Sequence, residues 1–194
     1  MEPLPEMTLA AYLALDAEAE LRHEWVNGEV YAMSGGTSRH AAVIANTIVA
    51  LGVATRRGPC RPASSDQRVH VPDTGAYLYP DVALVCGPYE HVDRGLTITN
   101  PSVLFEVLSP TTANYDQGAK FEHYRRLPSL RHYVLIDPDK VHVVHHRRMD
   151  DGWFRRDLTE GELVLDGLAD GLTARLALAD LYDRLDLVDG HSLR

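Results

Sequence analysis

Asp81, in Tyr79-Pro80-Asp81-Val82-Ala83-Leu84-Val85, and Glu106, in Val103-Leu104-Phe105-Glu106-Val107-Leu108, each interrupt an aliphatic run, and Lys120 follows in the next helical stretch. Such runs fill buried strands, where an ionised carboxylate is costly unless a partner or a metal compensates it. If the two strands are neighbours, alternation puts Asp81 on the face of Ala83 and Val85, and Glu106 on that of Leu104 and Leu108. The acids then converge at one end of a sheet. Two carboxylates held close repel, and a divalent cation relieves the repulsion; Mg²⁺ takes one or two of them and keeps water for a phosphate ligand. A cation so placed polarises a phosphoryl oxygen and lowers the pKa of an attacking water. The same residues also allow a plainer arrangement, a turn contact for Asp81 after Pro80 and an arginine partner for Glu106.

Lys120 adds to the first arrangement. At about 100° per residue it shares a helix side with Ala113, Tyr124 and Leu127. Turned toward the acids, it can hold a phosphate, orient water, or serve as base once desolvation lowers its pKa. Turned outward, it pairs with Asp116 one turn earlier, a couple contributing only about 0.2 to 0.5 kcal/mol. Glu24 precedes a hairpin turn and reads as a solvent-facing strand residue, with an outer-shell carboxylate as the alternative. His40 lies on the apolar stripe of its helix and reads as a core histidine bonded to the preceding loop; beside the acids, a neutral imidazole would orient a metal-bound water or touch phosphate. The ten histidines do not add up to a zinc site, since His142, His145 and His146 share a strand whose alternation separates neighbours. Gly35-Gly36-Thr37-Ser38 before a helix resembles an anion-binding loop but lacks the lysine and glycine spacing of a P-loop, and reads as a hinge or a mobile edge of the pocket.

The elements that must position these residues follow from capping and periodicity. Thr8 caps a helix to about Glu20, and Asn27-Gly28 between apolar runs predicts a hairpin. Ser38 caps a second helix to about Arg56, with His40, Ile44, Thr47 and Leu51 on its packed side. Strands are expected at Gln67 to Val71, Tyr79 to Cys86 and Ser102 to Leu108, as the middle of the sheet. A helix from about Tyr115 to Leu127 comes next, then strands at His132 to Asp137, Val141 to His146 and Trp153 to Leu158, and a closing helix within Leu176 to Leu185. This order favours a mixed α/β architecture over a doubly wound parallel fold. No repeat or linker divides the chain, so residues 1–194 read as one domain, with a core at about 38–147, a helix and hairpin at 8–33, and an extension at 150–187.

At 194 residues with 45% hydrophobic content, the chain is long enough for a substantial core. Its net charge of -9 argues against indiscriminate coating of nucleic acid. It leaves room for local phosphate contacts from Arg56-Arg57, Arg125-Arg126 or Arg147-Arg148, although solvated element ends are the commoner explanation of such pairs. No apolar run reaches the roughly 20 residues of a membrane span, and the N-terminus lacks the pattern of a signal peptide, so a cytoplasmic location is expected. Cys60 and Cys86 lie far apart in sequence and read as two reduced core thiols.

Taken together, Pro80-Asp81, Glu106-Val107-Leu108-Ser109-Pro110, Asp116, Lys120, Tyr124 and His132-Tyr133-Val134-Leu135-Ile136-Asp137-Pro138 resemble the Uma-two family. Glu24-Trp25-Val26-Asn27-Gly28-Glu29 and His40 fit the same pattern, and the likeness extends over about residues 8 to 185. These are bacterial proteins regarded as restriction endonucleases with a PD-(D/E)XK nuclease fold. The resemblance implies a restriction-endonuclease-like core, a mixed central sheet flanked by helices. Its implied active site has Asp81, Glu106 and the main chain of Val107 as metal ligands, Lys120 as the active-site lysine, and Glu24 and His40 close by. It further implies Mg²⁺ or Mn²⁺ as cofactor, DNA as substrate and a homodimer. One departure stands out. The usual motif places lysine two residues after the acid, where this chain has Leu108, so the amine would have to come from Lys120 on the following helix. A nuclease-like domain that binds nucleic acid or protein without cutting is the competing reading, and a hydrolase of small phosphate esters is a third.

Overall fold

A computed structural model of the chain describes residues 5–33 and 35–185. Thr8 caps α1 (Leu9–Glu18), its hydroxyl accepting the Ala11 N–H. The strands β1 (His23–Val26) and β2 (Glu29–Ala32) then form the expected hairpin, and Asn27 and Gly28 take the positive φ values, 52° and 98°, of a tight two-residue turn. Helix α2 spans Ser38–Ala54, but its cap is Thr37, whose side chain accepts the His40 N–H. Ser38 is its first turn instead. The remaining strands are β3 (Cys60–Ser64), β4 (Arg68–Val71), β5 (Ala76–Leu78), β6 (Val82–Cys86), β7 (His91–Val92), β8 (Thr97–Ile98), β9 (Val103–Val107), β10 (His132–Ile136), β11 (Val143–Met149), β12 (Gly152–Leu158), β13 (Glu162–Leu165) and β14 (Ala174–Ala177). Short helices α3 (Ala113–Gln117) and α4 (Ala119–Tyr124) precede β10, and α5 (Leu178–Leu181) follows β14.

The strands form two six-stranded sheets and a small hairpin. One sheet has the order β2-β1-β5-β4-β8-β7 and the other β12-β11-β10-β9-β6-β3, while β13 pairs with β14. The segment from Tyr79 to Cys86 is therefore not one strand. Pro80 has no N–H for a ladder, and Tyr79-Pro80-Asp81 carries the chain from the first sheet into the second. The strand over Gln67 to Val71, expected in the middle of a common sheet with β6 and β9, belongs to the other sheet. In the second sheet β9 and β10 run parallel, with α3 and α4 as their crossover, and β6 lies antiparallel to β9 with Val82 opposite Phe105. Alternation sorts β9 as anticipated: Val103, Phe105 and Val107 pack toward α2, α5 and the small hairpin, whereas Leu104 packs with Ala83, Val85, Tyr124 and Tyr133 between the sheets. Glu106 lies on this second face. The closing helix is only one turn long because β14 takes Leu176 into the hairpin; residues 186–187 of the anticipated extension lie outside the described residues, as does Ser34.

The cysteines differ from expectation. Cys60 and Cys86 stand directly opposite each other on β3 and β6 and are joined by a disulfide. Their separation of 26 residues concealed a neighbour relation that only sheet pairing creates.

His132 on β10 and His145 on β11, diagonal neighbours across the antiparallel pair, are buried together as one hydrogen-bonded pair. The rings meet at 2.9 Å through His132 Nδ1 and His145 Nε2, and His132 Nε2 lies 2.8 Å from the Asp166 carbonyl, to which it donates. Burial lowers the His132 pKa and pushes His145 down to about 3. Both values lie below that of an unfolded histidine, so the unfolded chain takes up protons first, and stability present above about pH 6.5 falls as pH drops toward 3. His145 alone should cost about 2 kcal/mol at pH 5. Urea midpoints at pH 7.5 and pH 5 should show this loss, and His145→Gln, which retains an N–H toward His132, should reduce it.

Candidate active site

The crossover between the sheets also builds a cleft. Just beyond the last paired residue of β5, the Tyr79 N–H donates to Glu24 Oε1 at 2.9 Å, and the Tyr79 carbonyl accepts from Lys120 Nζ at 3.0 Å. Two residues on, Asp81 Oδ2 accepts the Val107 N–H at 2.7 Å. This bond fixes one carboxylate oxygen of Asp81 against the end of β9 and leaves the other for a further partner. Glu106 enters from β9, Glu24 from β1, Lys120 from α4, Asp116 from α3 and His40 from the first turn of α2. The lysine is 3.0 Å from Glu24 Oε1, 3.0 Å from Glu106 Oε1 and 3.8 Å from Asp116 Oδ1. His40 Nε2 is 3.5 Å from Asp81 Oδ2. All six line one cleft of about 200 Å³, together with Ser109, Thr111, Thr112 and Tyr115.

The five side chains named from the sequence as site candidates, Asp81, Glu106, Lys120, Glu24 and His40, thus line one cleft, and several of the plainer alternatives give way. Lys120 is only 4% exposed, so its couple with Asp116 is not a surface pair. Glu24 is 2% exposed and turned inward, its carboxylate held by the Tyr79 N–H and the Lys120 ammonium. The His40 ring faces the cleft rather than the core. A side chain at Gly36 would collide with that ring, which explains a glycine in the loop before α2. Three further features were not foreseen: the main chain of Tyr79, the hydroxyl cluster of Ser109, Thr111 and Thr112, and Tyr115. The Tyr115 hydroxyl is buried in the cleft without a hydrogen-bond partner. Periodicity hid it, since α3 and α4 were read as one helix; Gly118, with φ -116° and ψ -98°, breaks them apart and turns Tyr115 inward.

The charges in this cleft do not balance. Four buried carboxylates, those of Glu24, Asp81, Glu106 and Asp116, face one buried ammonium, that of Lys120, and the half-buried imidazole of His40. Burial pushes the Glu106 carboxyl well above the usual range against the pull of Lys120, and Asp116 is raised for the same reason. Burial opposes the charge on Lys120, yet Glu106 and Glu24 outweigh it and hold the ammonium well above its ordinary pKa. The prospect of a lysine base made by desolvation is therefore reversed; Lys120 is a fixed cation. Burial likewise opposes a charged His40, but Asp81 raises its pKa, with the Val107 main chain contributing.

A hard divalent cation fits this donor set. Among the described residues no trio of His, Cys, Asp or Glu side chains surrounds a single point, which leaves the two-carboxylate type of site, with water completing the shell. Glu106 Oε1 is buried and receives no directed hydrogen bond, despite the ammonium 3.0 Å away. Glu106 and Asp81 line the same cleft and, with the Val107 main chain that bonds Asp81, are the groups that would hold such an ion.

The basic pairs contribute less to a phosphate surface than their spacing allowed. Arg148 donates to the carbonyls of Arg125, Leu127 and Leu130, Arg147 pairs with Asp166, Arg126 with Asp73 and Arg125 with Glu122. Arg56 and Arg57 are exposed.

Comparisons with known proteins agree with this architecture. Residues 9–179 match the sequence profile of the Uma2 family, described as "Putative restriction endonuclease". The chain is 31% identical over 150 residues to the uncharacterized protein slr1290 of Synechocystis sp., covering 77% of this chain and 78% of that protein. It is 30% identical over 146 residues to sll1609 of the same organism, covering 75% and 82%. Its fold superposes with a TM-score of 0.72 on the crystal structure of a "putative nuclease belonging to DUF820" from Anabaena variabilis, at 18% identity and over 91% of this chain and 97% of that one. The mixed sheet, its flanking helices and the sequence match lead to one conclusion: the chain belongs to the Uma2 family of restriction-endonuclease-like proteins.

Proposed function

We propose that the protein hydrolyses phosphodiester bonds in DNA with Mg²⁺ or Mn²⁺, using Asp81 and Glu106, with the Val107 main chain, to hold the ion. The observation that carries this reading is the Lys120 ammonium fixed 3.0 Å from Glu106 on the floor of an acid-lined cleft. Bound there, the ion would supply a Lewis acid for a phosphoryl oxygen and a more acidic water. Lys120 stabilises the negative charge that grows on phosphate during attack, and it needs no reorganisation because Glu24, Glu106 and the Tyr79 carbonyl already hold it. His40, whose pKa Asp81 raises against the effect of burial, offers an N–H to a phosphate oxygen. The hydroxyls of Ser109, Thr111 and Thr112 at the rim suit the neighbouring phosphates. A two-fold dimer suits cleavage of both strands of a duplex.

The test is cleavage of supercoiled plasmid by purified protein. Nicking or linearisation with Mg²⁺ or Mn²⁺, its absence in EDTA, and a fall of about 100-fold or more in Asp81→Ala are expected. DNA that is retained in gel-shift assays but never cut would favour a binding module, a reading that the saturated ion pairs of Lys120 also accommodate. Turnover of model diesters that DNA does not inhibit would favour a small-ester hydrolase. Tyr115→Phe offers a finer probe. An orphaned phenol in the cleft is a donor free for the substrate, so the variant should lose about tenfold or more in kcat. Its Tm should not fall, because the hydroxyl has no partner to lose in the folded protein.

A further inference from the structure

Helix α2 presents Val43, Thr47 and Leu51 to the core, while residues 41, 45, 49 and 53, all alanine or valine, lie exposed along a single i,i+4 ridge. Val49 is 65% exposed and Val53 72%. No charged side chain occurs between Arg39 and Arg56 apart from the titratable His40 in the cleft. An outer helix face without charge is unusual for a surface in contact with water alone. Val49 and Val53 also line a groove of about 380 Å³ that includes Ala50, Leu176, Asp180 and Asp183; the Arg175 side chain there is paired with Glu162.

We propose that this face docks a second copy of the chain, α2 against α2, antiparallel about a two-fold axis. An i±4 ridge packs into its own like at a crossing angle of about -50°, with axes about 8 to 10 Å apart, and the small side chains favour the closer distance. Placing the axis midway between the exposed valines sets Val49 opposite the partner's Val53. The same register brings Arg56 of each protomer opposite Asn46 of the other. Asn46 donates to the Leu181 and Asp183 carbonyls, so the acidic edge of the groove lies there. Arg56 and Arg57 have no carboxylate partner in their own chain among the described residues, and the Asp183 side chain is 64% exposed, with only a contact to adjacent Arg184. Apolar centre and basic ends therefore meet a groove with an acidic margin, and the contact is self-complementary, as a two-fold interface requires. The inference gives a surface to the paired arrangement expected of a duplex-cutting enzyme, but uses none of the cleft's chemistry.

Sedimentation equilibrium of the full chain over micromolar to hundred-micromolar concentrations tests it. A monomer–dimer equilibrium is expected, and Val53→Glu should raise its Kd by about 30-fold or more, the effect of a central interface residue. Arg56→Asp should weaken the dimer a few-fold, and Asp183→Arg in the same chain should restore it. Asp81→Ala should dimerise like the wild type, so loss of cleavage and loss of pairing are separable. A monomer throughout the range overturns the proposal, as does a dimer indifferent to Val53→Glu. A Val53→Glu protein that stays monomeric like the wild type but melts at lower temperature would assign the face to an intramolecular cover instead, and also overturns it.

Discussion

Replacing Lys120 with methionine should lower the stability of the protein by about 3 to 5 kcal/mol, the cost of breaking a buried ion pair by removing one partner. For a chain of this size that corresponds to a fall in Tm of roughly 6 to 20 °C. Methionine has nearly the volume of the lysine stem, so the loss is not one of packing. It comes from Glu24 and Glu106, 2% and 3% exposed, which are left with Asp116 and no cation between them. The Tyr79 carbonyl loses its donor as well. The remaining carboxylates can escape only by taking up protons, so the deficit should shrink as pH falls. Thermal unfolding at pH 7.5 and 5.5 measures both effects. A Tm within about 2 °C of the wild type at pH 7.5 would falsify the view that this ammonium neutralises the cleft. Cleavage should be lost too, because the same group stabilises charge on the reacting phosphate.

The fold class was legible in the sequence, and so were most of the residues that line the candidate cleft; the strand pairings that gather them were not. Asp81 and Glu106 declare themselves locally, as acids inside apolar strands, and Lys120 does so as a cation on an apolar helix stripe. Glu24 does not. Its strand looks half-exposed until β5 is placed beside β1, and its partner Lys120 is remote along the chain, so nothing near Glu24 signals that it is buried. The Asn27-Gly28 hairpin and the Thr8 cap were equally plain, because turn chemistry and capping are contained within a few residues.

Pairings between distant segments were hidden. A continuous strand over Tyr79 to Cys86 underrates Pro80, which ends one ladder before another begins and so exposes the Tyr79 main chain to Glu24 and Lys120. A continuous helix over Tyr115 to Leu127 underrates Gly118, whose break turns both Tyr115 and Asp116 toward the cleft. In each case the punctuating residue interrupts a regular element where the site needs backbone or side chains aimed differently. The disulfide is a third instance, since β3, with Pro62 at a sheet edge, carries little strand signal and its pairing with β6 cannot be read locally.

Glu106→Gln should separate catalysis from stability. In the metal-free protein, burial raises the Glu106 carboxyl well above the usual range even against the pull of Lys120, so ionising it costs the folded state more than it costs the unfolded chain. Stability then declines as pH rises from about 4.5, the unfolded value, toward the folded pKa. Glutamine fills the same space without that charge, and Lys120 keeps Glu24 and Asp116 as partners. In EDTA at neutral pH the variant should melt no lower than the wild type, and its Tm should depend less on pH. The metal-linked behaviour should reverse the order. A cation held by Asp81 and Glu106 adds about 2.7 kcal/mol at a hundredfold excess over its Kd, or roughly 5 to 11 °C in Tm. Removing one of two carboxylate ligands should abolish most of this gain, together with about 100-fold or more of the cleavage rate. Differential scanning calorimetry with EDTA, Mg²⁺ and Mn²⁺ measures the first effect and plasmid nicking the second. A variant that still gained the full wild-type Tm increment from Mn²⁺ would place the ion elsewhere. A variant that melted well below the wild type in EDTA would instead make Glu106 a structural counter-ion for Lys120, because the charge removed would then have been stabilising the fold rather than straining it.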